Sequence, residues 1–232
     1  MQTIEEIKKF YNRECRVYDK DRYATGTRYV RADEEICKLL LKNIKGSTVL
    51  ELGAGTGRYG ILLKEYGFKW SGIDISEGMI SKALEKEESL DITEGNVEDK
   101  RLYPSEYFDN VICVRAFNFF NNPMRVIRNV YYTLKKGGQF ILIYYNLNIF
   151  RKISIPILHD PYTVQRLYTY KQIQAMLVSV GFEVQSKRHM INLPCYIYNH
   201  FPKIVNLSLI KKFDNALRDG WIVAVITKKR EK

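Results

Sequence analysis

Apolar residues recur along this chain with two alternating spacings. Over residues 3–18, Ile4, Ile7, Tyr11, Cys15 and Tyr18 stand three or four apart, and Ile36, Leu39, Leu40 and Ile44 repeat the spacing, so the N-terminal part predicts two helices with one apolar face each. Short continuous apolar runs follow: TVLEL (48–52), WSGIDI (70–75), FDNVICV (108–114) and QFILIYY (139–145). Runs of strand length that do not alternate suit strands buried on both faces of a parallel sheet. Between them the helical spacing returns over 57–66, 77–86 and 123–135, the last closed by KKGG, a cationic end before a glycine stop. Strand and helix in alternation predict an α/β chain with right-handed crossovers.

After Tyr145 the alternation is broken by NLNIFRKISIPILHDPYTVQRLY, resumes with a helix near 170–180 and GFEVQSKR, and is broken again over 189–218 before WIVAVITKK. The two interruptions, 146–168 and 189–218, hold four of the six prolines. They are read as insertions on a finished scaffold, the usual place for substrate recognition. The expectation is a single domain over 1–232: N-terminal helices to 45, a half around the glycine-rich turn from 46 to 145, and a half carrying the insertions from 146 to 232.

Composition adds limits. With 46% hydrophobic and 27% charged residues the chain is of soluble globular type, and no apolar stretch nears the roughly 20 residues that span a bilayer. MQTIEEIKKF has neither the basic flank nor the apolar centre of a signal peptide, so a cytoplasmic protein is expected. Cys15, Cys37, Cys113 and Cys195 lie far apart with no metal-ligand spacing, which predicts reduced thiols and no metal site. The net charge of +11 is uneven: residues 1–134 hold 21 basic and 21 acidic side chains, residues 135–232 hold 16 and 5. That excess suits an anionic partner, be it a phosphate-bearing small molecule, a nucleic acid or an acidic lipid surface, and equally a solvated basic face.

The stretch VLELGAGTGRYG (49–60) carries the chemistry. Glycines after a buried strand let the backbone turn into a helix and approach a ligand. A mononucleotide phosphate loop needs Gly-Lys-Ser/Thr here, and Arg58-Tyr59 follow Gly57 instead. A dinucleotide fingerprint needs a third glycine for close helix packing at position 58, which Arg58 fills. What remains is Glu51 before Gly53-x-Gly55-x-Gly57, and this resembles the first motif of class I S-adenosylmethionine-dependent methyltransferases. Further segments resemble that family in order: GIDIS (72–76), EGNVED (94–99), FDNVICVRAFNFF (108–120) and LKKGGQFILIYYN (134–146). The surroundings look most like the methyltransferase type 11 group.

The resemblance implies a Rossmann-like sheet of seven mostly parallel strands, order 3-2-1-4-5-7-6, and S-adenosyl-L-methionine as cofactor. It implies that Glu51, Gly53, Ala54, Gly55 and Gly57 approach the methionine part. Asp74 would accept both ribose hydroxyls, Ile75 and Met79 would flank the adenine, and Asn96, where the family often has Asp, would serve its edge with the Val97 N–H. Val114 and Arg115 would end the fourth strand beside the cofactor. The leading helices and first insertion would close over the methyl group, making Tyr11, Tyr18, Tyr23, Phe117 and Phe119 candidates to line the pocket. Tyr18, Tyr23 and His159 are the catalytic candidates, His159 because a turn at PILHDPY would project it toward the cleft. No Asn/Asp-Pro-Pro-Tyr/Phe follows the fourth strand, so base amino groups become poorer acceptors.

The expected acceptor is a small metabolite, anionic or lipid-linked, with Tyr144, Tyr145, Phe150, Tyr162 and Tyr168 suiting an apolar lid. An RNA acceptor is the alternative, on the basic residues interleaved with tyrosines from Arg151 to Lys171. A non-catalytic cofactor-binding subunit is a third reading. LPCYIYNHFPKIVNLSLIKKF (193–213) suits peripheral contact with an anionic membrane, a helix over the sheet edge, or a homodimer contact.

Overall fold

A computed structural model describes residues 3–23, 28–99, 103–147, 166–190 and 220–230, with backbone alone for 21–23 and 28–31. Seven strands form one sheet: β1 (Thr48–Leu52), β2 (Lys69–Asp74), β3 (Asp91–Glu94), β4 (Phe108–Val114), β5 (Leu134–Tyr145), β6 (Phe182–Met190) and β7 (Ile222–Lys229). Their order is β3-β2-β1-β4-β5-β7-β6. The first five are parallel, and β7 runs antiparallel between β5 and β6. This is the sheet that the resemblance implies.

The helices are α1 (Ile4–Glu14), α2 (Tyr18–Tyr23), α3 (Arg28–Asn43), α4 (Arg58–Glu65), α5 (Glu77–Lys86), α6 (Pro123–Thr133) and α7 (Tyr170–Val180). Side chains of successive strand residues enter opposite cores, which is why the strand runs are apolar throughout. Along β5, Ile141, Ile143 and Tyr145 join the core under α3, α4 and α5, while Phe140, Leu142 and Tyr144 join the core under α6 and α7. Local signals set the helix ends. Thr3 with Glu6, and Thr169 with Gln172, form capping boxes for α1 and α7; Ser76 caps α5 through the Met79 N–H, and Asn122 caps α6 ahead of Pro123.

Two expectations are corrected. The single leading helix over 3–18 is broken by a turn at residues 15–17, giving three helices before β1 rather than two. The pieces are tied down separately, α1 through Asn12 to Ser76 and α2 through Asp19 to Thr56. The helix expected to reach 135 stops at Thr133, and KKGG belongs to β5. Phe108 pairs with Leu134 but Asn110 with Gln139, so the lysines and glycines form a bulge, and Lys135 turns onto Asp109 at 2.7 Å. Most of both insertions lies outside the described residues.

Candidate functional site

In a parallel sheet the crevice for ligands opens beyond the carboxyl ends of strands where their order reverses, here between β1 and β4. A cleft of about 840 Å³, partly open to solvent, lies there. Its floor is the glycine turn, whose Gly53, Gly55 and Gly57 all take positive φ (70°, 55° and 71°). They serve different ends. A Cβ on Gly53 would meet that of Ala116 at 2.4 Å, and one on Gly57 would meet Leu90 at 2.7 Å, so these two permit close packing. A Cβ on Gly55 would have no protein atom within 4 Å, although Gly55 lines the cleft. The space above it belongs to the cavity.

Asp74, at the end of β2, is 9% exposed and lines the same cavity. One carboxylate oxygen accepts the Gly55 N–H at 2.7 Å and the other the Ser76 N–H at 2.9 Å. Burial pushes its carboxyl above the usual range, against the pull of those N–H groups. Ile75, Met79 and Val97 make an apolar slot beside it, closed by Asn96. The Asn96 Oδ1 accepts the Glu98 N–H at 3.0 Å. Glu98 itself lines the cleft and holds the loop after β4, accepting the Asn121 and Asn122 N–H groups at 2.6 and 2.8 Å. Glu98 is absent from the sequence-based site because only the folded sheet brings it to those N–H groups.

Val114 and Arg115 line the opposite wall. Arg115 takes φ of 61°, uncommon for a side chain of its size, while its N–H still bonds to the Ile143 carbonyl at 2.7 Å. Its buried guanidinium donates to the Tyr59 hydroxyl at 3.2 Å and stands 4.0 Å from Asp33. Asp33, from α3, accepts Arg58 Nε at 2.6 Å and the Tyr59 hydroxyl at 2.8 Å. Glu51, Ala54 and Gly57 stand behind the wall rather than on it. Glu51 is 1% exposed and accepts the Trp70 indole N–H at 3.0 Å. Burial pushes its carboxyl up to about 8, with Trp70 and Arg115 opposing and the Asp74 charge adding.

The far end is walled by rings. Tyr11 and Tyr18, from α1 and α2, meet Phe119 and Phe120 of the loop after β4, and Tyr145 at the end of β5. Tyr11 stands edge-on to Phe119 at 5.4 Å between centroids. No residue of α1 is fully buried, and polar contacts hold it over the cleft: Lys8 pairs with Glu77 and Glu94, and the Asn12 Oδ1 accepts the Ser76 hydroxyl at 2.6 Å and the Gly78 N–H at 3.1 Å. On α2, Asp19 accepts the Thr56 hydroxyl at 2.8 Å.

Other expected residues fall elsewhere. Phe117 and Tyr144 are packed in the core under α6 and α7, away from the cleft, because the strand and its following turn present them to that face. His189 accepts the Gly220 N–H and does not line the cleft. Tyr23 ends α2, with its side chain outside the described residues. His159, Phe150, Tyr162 and Cys195 also lie outside them. The described cysteines are free thiols, and no group of three metal-ligating side chains occurs among the described residues.

A family model described as a methyltransferase domain matches residues 23–187. The 18S rRNA (guanine(1575)-N(7))-methyltransferase of Saccharomyces cerevisiae is 29% identical over 138 residues, 54% of this chain and 50% of that protein. The phosphatidylethanolamine N-methyltransferase of Cereibacter sphaeroides is 31% identical over 106 residues, 44% of this chain and 52% of that protein. The chain thus spans about half the length of the curated relatives it matches. A Thermotoga maritima structure described as a possible histamine N-methyltransferase is similar in fold, with a TM-score of 0.71 at 19% identity over 96% of this chain and 99% of that one.

Proposed function

Because the chain belongs to the methyltransferase domain family, we propose that it is an S-adenosylmethionine-dependent methyltransferase acting on a small-molecule metabolite, anionic or lipid-linked. One observation carries the reading: a single cleft joins a buried carboxylate, held by two backbone N–H groups, to a wall of aromatic rings. The family and the fold imply the cofactor, and the residues present fit it. Asp74 suits a pair of ribose hydroxyls, Ile75, Met79 and Val97 suit an adenine, and the space over Gly55 suits a chain passing close to the backbone. Arg115, on the cleft wall beside the glycine turn, suits the carboxylate of an amino acid end.

With the cofactor bound, the chemistry supplied is a methyl group on a sulfonium sulfur, open to in-line displacement by a lone pair. The protein's part is positioning and exclusion of water. Tyr11, Tyr18 and Phe119 line one end of the cleft, and aromatic rings there would favour a cation nearby. Among the described residues lining the cleft there is no histidine or lysine, and both carboxylates accept backbone N–H bonds. A carboxylate acceptor would react without a general base, whereas a hydroxyl would call on Tyr18, which lines the cleft, or on His159, outside the described residues.

The name of the yeast relative and the basic C-terminal part favour RNA as the second reading. The described basic residues divide: Arg115 lines the cleft, while Lys228 stands toward the other end of the sheet. Lys228 pairs with Gln139 and the cleft opens at Tyr145, six residues along β5 and so about 20 Å away. Among the described residues no helix is long and apolar enough to cross a membrane. The test is transfer from methyl-labelled S-adenosylmethionine into a deproteinised cell extract, then separation into RNA, organic-soluble and small aqueous fractions. Label in either of the last two is expected. Label in RNA alone would replace the first reading by the second, and cofactor binding without transfer would favour a non-catalytic subunit.

A further inference from the structure

We infer that Asn118 is a positioning residue for the methyl acceptor, tying the end of the first insertion to the ring wall of the cleft; this rests on the proposed methyl transfer at that cleft. Asn118 lies in the single 3₁₀ turn after β4 (Phe117–Phe119) and is fully buried. Its Nδ2 donates to the Tyr145 carbonyl at 2.9 Å and to the Arg166 carbonyl at 2.6 Å, and its Oδ1 accepts the Tyr145 N–H at 2.8 Å. Its own backbone carbonyl accepts the Arg166 N–H at 2.9 Å. A carboxamide has two N–H groups and one oxygen, and here all three are engaged.

The pattern has a structural meaning. β4 follows β5 only as far as Val114 opposite Ile143, because the chain turns away at Arg115. Tyr145 would therefore present an unpaired N–H and C=O inside the protein, at a cost that buried backbone rarely bears. The Asn118 carboxamide takes the place of the missing strand neighbour for both groups. The same side chain grips Arg166, the first described residue after 148–165, and the Arg166 guanidinium returns to Asn121 Oδ1 at 3.2 Å. Beside it, the Leu147 N–H donates to the Tyr168 carbonyl at 2.9 Å, so the chain comes back next to the point where it left. Phe119 and Phe120 follow Asn118 directly and Tyr145 is its partner, and all three line the cleft. Asp74 and Gly55 share no hydrogen bond with this junction. Acceptor geometry and cofactor affinity are therefore separable.

The full chain carrying Asn118→Ala tests this with S-adenosylmethionine and the labelled extract. Calorimetry should give a cofactor Kd within about twofold of wild type. The extract concentration that half-saturates transfer should rise about tenfold, and the Tyr145 and Arg166 amides should exchange faster with solvent while the Gly55 amide does not change. Transfer at the wild-type half-saturation, or cofactor affinity lost in step with transfer, would overturn the inference. If Asn118→Ala fails to fold, the near-isosteric Asn118→Asp keeps the oxygen for the Tyr145 N–H but sets a second oxygen against the Tyr145 and Arg166 carbonyls; a shift of about threefold at unchanged cofactor affinity supports the role, and no shift overturns it. Wild-type protein that transfers nothing would sink the proposed function instead. The exchange of the Tyr145 and Arg166 amides would then still decide whether Asn118 holds the junction.

Discussion

Asp74 is the group on which cofactor binding should depend most steeply. Asp74 is 9% exposed on the cleft wall, and its oxygens accept backbone N–H groups on the protein side, those of Gly55 and Ser76 among them, while a ligand's two hydroxyls would add two hydrogen bonds to the same carboxylate. Hydrogen bonds to a charged acceptor contribute about 1.5 kcal/mol each at the lower end, so losing two costs about 3 kcal/mol, a factor of about 150 in Kd. Asp74→Ala removes both. Asp74→Asn should do nearly as badly, because an amide must turn its NH₂ toward either the Gly55 N–H at 2.7 Å or the Ser76 N–H at 2.9 Å, donor against donor. The lost backbone contacts cost about 1 to 2 kcal/mol, which lowers the melting midpoint by roughly 2 to 8 °C and leaves the protein folded at 25 °C. Calorimetric titration with S-adenosylmethionine, beside a melting curve for each variant, reads both quantities. A folded Asp74→Asn protein binding within about threefold of wild type would refute the reasoning.

Glu51→Gln should flatten the pH dependence of stability. The unfolded chain sheds this proton near 4.5 and the folded chain holds it to about 8, so the folded state binds more protons across that window and wild-type stability falls as pH rises through it, by up to about 1.4 kcal/mol per pH unit; urea unfolding at pH 5 and 8 measures the difference. Asp33→Ala leaves the buried Arg115 guanidinium without its nearby carboxylate and takes the partner from Arg58 and Tyr59, so a loss of about 3 kcal/mol is expected by chemical denaturation, and a loss below about 1 would contradict the buried network. Asn12→Ala frees the Ser76 hydroxyl and Gly78 N–H that hold α1 on α5, which should speed cofactor dissociation several-fold in stopped-flow at little cost in stability; Asn12→Asp keeps the accepting oxygen and should dissociate like wild type.

Much of the fold is legible in the sequence because burial on both faces leaves a dense signal. TVLEL and FDNVICV coincide with β1 and β4 to the residue, and WSGIDI is one residue out of step with β2. β3 has no such mark. At the sheet edge its four residues, DITE, are exposed apart from a half-buried Ile92, so nothing apolar announces a strand. KKGG misleads for a different reason: two lysines and two glycines suit a helix end and a strand bulge equally, and the ion pair of Lys135 with Asp109, distant in sequence, selects the bulge. The break between α1 and α2 is likewise set by contacts with residues beyond position 50, Ser76 and Thr56.

The two ends of the cleft differ in how the chain encodes them. The end around Asp74 is built from three short stretches, 53–55, 74–79 and 95–98, each fixed by its own turn chemistry, so a reader of the sequence can name most of its lining. The ring-walled end draws Tyr11, Phe119 and Tyr145 from three unrelated elements, and no local pattern separates Phe119, which lines the cleft, from Phe117, which is buried in the core. What separates them is the short turn after β4, and what holds that turn is Asn118, one more polar residue in FNFFNN until the sheet sets it against Tyr145. The basic excess shows the same limit from the other side. Charge can be counted along a sequence, but a partner meets it only in space, and Lys135, Lys136, Lys228 and Arg230 gather at the end of the sheet opposite the cleft. Arg115 on the cleft wall and Arg166 at the Asn118 junction stand at the other end, so a count of charge along the chain does not say which of these groups a partner would meet.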